Sequence, residues 1–199
     1  LKRHCKFSKI YFIGALLIFF MFLFWGKQVY THVTVNYAKD PTGDAIVTVY
    51  EEQQILAESE VEEGTAELYF RGSDITGIAP IHYDSFEELY LKSIEIRIYG
   101  KLVAAMEPEE ILKYFVPNDG IRDIQPTEQG LYLTTQSDRP LLMLSQELRD
   151  RIDISANFMS ILNFLFLLII YTIVYWYLFK VLDLCLLYTS PSPRDTERS

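Results

Sequence analysis

Two histidines, His32 and His82, lie fifty residues apart between the two long apolar runs of the chain. Histidine metal sites need ligands at close helical or hairpin spacing, so this pair reads as strand or loop histidines. No serine has the Gly-x-Ser-x-Gly setting of an activated nucleophile, and no glycine pattern of a P-loop or dinucleotide fold occurs. Two acidic clusters remain: Glu58, Glu60, Glu62 and Glu63, and Glu107, Glu109 and Glu110. Their carboxylates could gather a divalent cation. The first cluster lacks the alternating acidic order and glycine of a calcium loop, so both are expected to be solvated acidic surface. Tyr83, Tyr90 and Tyr99 could stack on sugar rings, or serve as half-buried sheet residues. Cys5 reads as a bystander thiol. No catalytic, cofactor-binding or metal-ligating residue is assigned, and no cofactor is expected.

The charge that surrounds these residues is segregated. Residues 1–9 carry Lys2, Arg3, Lys6 and Lys9 and no acid; residues 10–26 and 154–179 carry no charge at all. Between Lys27 and Asp153 there are 11 basic and 24 acidic side chains, a net charge of −13 within a chain of −9 overall. An uncharged apolar run of about 20 residues spans the roughly 30 Å hydrocarbon core of a bilayer. The second run exceeds that length and the first, rich in Phe, Leu and Ile, is close to it. A cleaved signal peptide would need small residues after the apolar stretch; the chain instead reads Leu-Phe-Trp-Gly-Lys-Gln after Phe22. The first run is therefore expected to persist as an anchor, with Trp25 and Tyr30 at the outer interface.

The positive-inside rule weighs short basic flanks. It places residues 1–9 in the cytoplasm, a first span at 10–26, residues 27–153 outside, a second span at 154–179 and a cytoplasmic stub at 180–184, in a multi-pass protein of the plasma membrane. The exported segment has no cysteine and must be stable through its own core. Its acidity disfavours nucleic acid, which needs a basic patch, and repels anionic polymers and headgroups. Within the second run, Tyr171, Tyr175, Trp176 and Tyr177 form an aromatic band that could anchor at the cytoplasmic interface or pack against further helices.

Strand signals dominate residues 27–153. His32–Tyr37 and Ala45–Tyr50 are rich in β-branched and aromatic residues, and the Lys39–Asp44 turn between them, with Pro41 and Gly43, predicts a hairpin. Thr65–Arg71 is a third strand. Ser93–Tyr99 alternates, with Ile94, Ile96 and Ile98 on one side and Glu95 and Arg97 on the other, the period-2 mark of a half-buried strand. Gly130–Thr135 and Pro140–Leu144 flank a Gln-Ser-Asp-Arg turn. A helix is expected over Glu107–Phe115, with Pro108 in its first turn and Pro117–Gly120 as its stop. Ser145–Asp153 reads as a short amphipathic helix leading into the second span. The predicted fold is a membrane protein in which two transmembrane helices flank a mainly-β, sandwich-like extracytoplasmic domain of six or seven strands with one or two short helices.

Cys185–Asp195, CLLYTSPSPRD, resembles the in-frame translation of a transposase-based sequencing adaptor. Residues 185–199 are accordingly expected to be non-native, and the chain to be a fragment whose native sequence ends near Leu184.

The segment SIEIRIYGKLVAAMEPEEILKYF, then GLYLTTQSDRPLLML and a membrane helix, resembles the N-terminal region of large polytopic envelope proteins of Gram-positive bacteria, including membrane glycosyltransferases and lipoteichoic-acid-synthase-like proteins. The likeness covers about a quarter of the chain and is one of architecture. It implies a role in making or modifying surface polysaccharide, with the exported domain as a non-catalytic accessory module. Its partners would be the lipid bilayer and an envelope carbohydrate or lipid-linked sugar. Family catalytic residues would lie beyond this segment, so the resemblance carries none onto this chain and leaves enzymatic activity and oligomeric state open. Two other classes share the layout of two spans around an exported domain: the extracytoplasmic sensor domain of a receptor or histidine kinase, and a polysaccharide chain-length regulator. The first is expected to enter its second span from a long helix, and the second to carry long helices in its exported domain.

Overall fold

The computed structural model describes residues 2–25, 29–41, 45–81, 88–136 and 139–189, with side chains described only over 10–22 of the first helix and up to 181 in the last. Contacts divide the chain into two units: Lys27–Ser160, and a helical unit made of Leu1–Gly26 with Ile161–Ser199.

The first of these is mainly β. Its strands are β1 (Tyr30–Tyr37), β2 (Ile46–Glu51), β3 (Gln54–Glu60), β4 (Thr65–Arg71), β5 (Gly77–Ala79), β6 (Glu88–Ile98), β7 (Lys101–Met106), β8 (Phe115–Pro117), β9 (Ile121–Thr127), β10 (Gly130–Thr135) and β11 (Leu142–Leu144). They form two antiparallel sheets. One has the order β4-β1-β6-β10-β9, with β7 also paired to β6; the other has the order β3-β2-β5-β11-β8. The buried faces of both contribute to one core that includes Val33, Val47, Leu68, Ile78, Ile96 and Leu142.

Strand β6 organises the first sheet. One edge pairs with β1 from Leu91 to Ile98; the other is shared by β10, on Glu88–Leu91, and β7, on Ile94–Ile98. Ile94, Ile96 and Ile98 all point into the core, as their spacing predicts. The strand begins five residues earlier than the alternation at Ser93 indicates. Leu89 and Leu91 are buried too, but in the opposite phase, and the ladder steps from Asn36↔Ser93 to Tyr37↔Leu91. Lys92 is thus the extra residue of a β-bulge, which turns both apolar sets to the same face.

The hairpin expected between His32–Tyr37 and Ala45–Tyr50 does not form. β1 pairs with β4 and β6, whereas β2 pairs with β3 and β5 in the other sheet. A two-residue loop, Glu52–Gln53, joins β2 to β3 and gives β2 a closer partner than the eight-residue connection from β1 can. β10 and β11 likewise fall in different sheets on either side of Gln136–Arg139. Among the described strands only β2–β3, β6–β7 and β9–β10 are consecutive pairs; every other step along the chain changes sheet. The short strands β3, β5, β7, β8 and β9 raise the count above the six or seven expected. They are brief, or half-polar at sheet edges, and lack the alternation that marks β6.

Helix α2 (Pro108–Tyr114) ends one residue earlier than expected, because Phe115 turns extended and enters the second sheet as β8. The Pro117–Gly120 turn that follows is clamped by Asn118. Its carboxamide oxygen accepts from the Gly120 and Leu141 amides at 3.0 and 2.8 Å, and its nitrogen donates to the Arg139 carbonyl at 3.0 Å.

The helix expected over Ser145–Asp153 is not a separate element. A single helix, α3, runs from Gln146 to Thr189. In its first turns Leu148, Ile152 and Ala156 lie on one face at four-residue spacing and are buried in the core of the β unit. The part from Gln146 to Val181 is long and apolar enough to cross a membrane. In α1 (Lys2–Trp25), Ile10–Phe22 is a shorter apolar stretch.

Within the helical unit α1 and α3 pack antiparallel: Tyr11 meets Tyr171 and Tyr175 at ring separations of 5.5 and 5.0 Å, and Phe22 meets Phe164 at 4.6 Å. The Tyr11 hydroxyl lies 3.0 Å from Thr172 Oγ1, and Tyr171 donates to the Tyr11 carbonyl at 3.2 Å. The Tyr171 hydroxyl sits where a Cβ on residue 14 would stand, so Gly14 permits this approach. The aromatic band is therefore split. Tyr171 and Tyr175 face α1, while Trp176 and Tyr177 are exposed, with Lys180 Nζ 4.2 Å over the Trp176 ring.

Two stability measurements test this packing. Ile96→Ala should cost about 2–5 kcal/mol through the cavity it opens, and Arg97→Ala, which loses one half-exposed pair with Glu95, at most about 1 kcal/mol; equal costs in chemical denaturation would contradict the inward face of β6. Thr48 is fully buried and its hydroxyl has no hydrogen-bond partner among the described residues. Thr48→Val should therefore raise stability by about 1–3 kcal/mol, and a loss of stability would show that the hydroxyl is satisfied.

Candidate functional site

The alternation that buries one side of the first sheet exposes the other. In β4, Ala66, Leu68 and Phe70 are buried, while Glu67, Tyr69 and Arg71 point outward. Antiparallel register then sets the outward residues in rows. Arg71 lies opposite Tyr30; Tyr69 opposite His32, itself opposite Arg97; Glu67 opposite Thr34, itself opposite Glu95. The two-residue turn after β6 adds Tyr99 beside Tyr30.

That turn is strained. Tyr99 and Gly100 both have positive φ, 49° and 78°, the conformation of the tight hairpin turn whose twist matches the strands. Glycine adopts it freely, but a tyrosine pays about 1–2 kcal/mol. The Tyr99 amide donates to the Tyr30 carbonyl at 2.9 Å, and the two rings meet edge to face at 6.1 Å.

The side chains interlock. The His32 and Tyr69 rings stack at 4.1 Å with 5° between their planes. Tyr69 donates its hydroxyl to Glu67 Oε2 at 2.7 Å, and His32 Nε2 lies 3.8 Å from the same oxygen and 3.2 Å from Thr34 Oγ1. Arg97 donates to Glu95 at 2.8 Å. The Arg71 guanidinium lies 5.5 Å from the centre of the Tyr30 ring and makes no ion pair among the described residues. Tyr30, His32, Tyr69, Arg71 and Tyr99, with Thr31, Phe70 and Gly100, line a groove of 580 Å³, and Thr34, Glu67, Glu95 and Arg97 stand on the same outward face of the sheet. Tyr69 and Tyr30 remain 66% and 51% exposed, although large aromatic side chains gain most from burial. The Glu67 carboxylate accepting its hydroxyl holds the Tyr69 phenol above the ordinary tyrosine range.

Of the tyrosines considered for sugar stacking, Tyr99 belongs to this face, as does Tyr30, expected at the outer interface. Tyr90 packs against Tyr132 at 5.2 Å, and Tyr83 and His82 lie outside the described residues, as do the side chains of Cys5 and Trp25. Tyr69, Arg71 and Glu67 were not singled out, although the strict alternation of TAELYFR places them on one face. Glu60, Glu62 and Glu63 gather with Glu67 around an open depression of 640 Å³. Among the described residues no group of three acidic, histidine or cysteine side chains is placed to hold a metal ion. Glu107 and Glu109–Glu110 sit at the start of α2, where acids complement the helix dipole.

The chemistry on offer is recognition: ring faces for stacking, with carboxylate acceptors and guanidinium donors beside them. Removing the carboxylate tests the geometry. Glu67→Ala should lower the pH at which Tyr69 ionises, followed by ring NMR or ultraviolet difference titration; an unmoved midpoint would mean the hydrogen bond is absent in solution. Comparison with known proteins adds no identity: no family model matches the chain, and no curated protein matches it.

Proposed function

We propose that this chain works at the cell envelope as the anchored, exported part of a polytopic membrane protein of surface-polysaccharide metabolism. In this reading α1 and the later part of α3 both span the plasma membrane, the N-terminus is cytoplasmic and residues 27–153 lie outside. The β-rich domain is a non-catalytic accessory module that holds an envelope carbohydrate or lipid-linked sugar near a membrane-embedded reaction centre. The single observation that carries it is the face of exposed Tyr30 and Tyr69 rings, with the half-buried Tyr99 beside them and charged hydrogen-bonding groups adjoining. Supporting it are the basic flank ahead of Ile10 and the apolar length of α3. A module tethered in this way raises local substrate concentration and needs only weak affinity.

A sensor remains the second reading, favoured by one observation. α3 is unbroken from Gln146 and its first turns are packed into the domain core. A helix that starts in the domain core can carry a ligand-dependent shift of the domain, provided the ligand binds one state better than the other.

Topology is tested by substituted-cysteine labelling of intact cells, with Cys5 and Cys185 replaced by serine. Thr42→Cys should react with an impermeant reagent and Lys2→Cys should not; the reverse pattern would overturn the orientation. The full chain should show weak glycan binding and no hydrolase or transferase activity. Tight one-to-one binding of a small metabolite would replace this reading by the sensor.

A further inference from the structure

We propose that the groove on the outward face of the first sheet takes a neutral pyranose glycan, and discriminates against polyanionic envelope polymers and sugar phosphates. This rests on the reading of the domain as a glycan-holding module and specifies its ligand class.

Three features of the face point this way. Its aromatic surface is built from tyrosines whose rings are held by neighbours and left uncovered. Tyr69 is fixed from one side by His32 and through its hydroxyl by Glu67, and Tyr30 by Arg71 and Tyr99. A ring locked in this way loses little freedom when a ligand stacks on it. The apolar face of a pyranose is such a ligand, with hydroxyls around its edge that need donors and acceptors together.

The face supplies both in balance. Arg71 and Arg97 provide two guanidiniums, and Glu67 and Glu95 two carboxylates, so the arginine and carboxylate charges of the three rows cancel. Glu67 accepts one hydrogen bond from Tyr69 in the described structure and keeps acceptor capacity for ligand hydroxyls. A polyanion or sugar phosphate would gain Arg71 but would meet Glu67 and Glu95 two rows away. The rows are about 7 Å apart, at two residues per row along a strand.

The third feature is the surrounding field. The groove belongs to a segment of net charge −13, and Glu67, on the same strand as Tyr69 and Arg71, also lines the acidic depression at Glu60, Glu62 and Glu63. An anionic chain would approach against that potential, whereas a neutral chain would not feel it. Consecutive sugars of one neutral chain can then meet Tyr69 and Tyr30 in adjacent rows.

The experiment uses the full chain in lipid nanodiscs, free of glycoside detergents, titrated with neutral hexasaccharides of glucose, N-acetylglucosamine and mannose, and with a galacturonate hexasaccharide as the anionic probe. At least one neutral probe should bind more tightly than the galacturonate. Its affinity should change less than about 2-fold between 50 and 500 mM salt, since screening acts on charged ligands. Tyr69→Ala and Tyr30→Ala should each weaken it by about 10-fold or more, with the thermal midpoint checked to exclude misfolding. Ile55→Ala, an exposed side chain on the other sheet, should leave it unchanged. Galacturonate binding equal to or tighter than every neutral probe would overturn the ligand class and leave the module reading intact. Neutral binding that survives both tyrosine variants would overturn the site, and binding of no glycan at all would overturn the module reading itself.

Discussion

Strand β6 can keep its apolar side chains in the core only by leaving Lys92 out of the ladder. Leu89 and Leu91 are in one phase and Ile94, Ile96 and Ile98 in the other; with perfect alternation, one set would face solvent. The bulge removes that conflict, and other features depend on it. β6 is paired with β1, β10 and β7 at once, so its phase sets which side chains of all three point inward. The outward rows of the candidate site are the complement of that choice. His32 and Arg97 share a row only because Val33 and Ile96 share the core.

The second organising constraint is that consecutive strands mostly lie in different sheets. A chain that returns repeatedly across the core gives each sheet partners distant in sequence, as β1 finds in β4 and β6. Such pairing pays loop-closure entropy before it gains contacts and folds slowly relative to local hairpins. In return, residues from distant parts of the chain come side by side on one surface: Tyr30, Tyr69 and Tyr99 arrive from three strands or turns. Without disulfides, this arrangement depends on the core alone. The size of that core explains how the unit can carry a strained Tyr99, an unsatisfied Thr48 hydroxyl and two exposed tyrosine rings.

The charge distribution and the site are consistent with each other. The segment is strongly acidic, whereas its outward aromatic face sets two arginines beside two glutamates. On that face Glu67 accepts from Tyr69 and Glu95 from Arg97, and neither carboxylate is buried. The helical unit follows another logic. Its two helices meet by close approach at Gly14 and Tyr171 and through the Tyr11–Thr172 hydrogen bond.

Features governed by local periodicity were legible in the sequence. The β character of the domain, the inward face of Ile94–Ile98, the strands at Thr65–Arg71 and Gly130–Thr135, the Pro108-led helix and a helix of membrane-crossing length all follow from spacing, propensity and apolar length, which act over a few residues. What failed was partner choice. The Lys39–Asp44 connection looks like a hairpin turn, yet it joins strands of different sheets, as the Gln136–Arg139 turn also does, because a turn's residues allow a reversal without specifying which strand lies alongside. The bulge at Lys92 read as the start of a strand, since a slip in period has the same local appearance as an end. The site was hidden for the same reason. TAELYFR shows that Glu67, Tyr69 and Arg71 share a side, but only the register with β1 and β6 sets them beside His32, Tyr30 and Arg97, and that register is decided by burial of residues thirty to seventy positions apart.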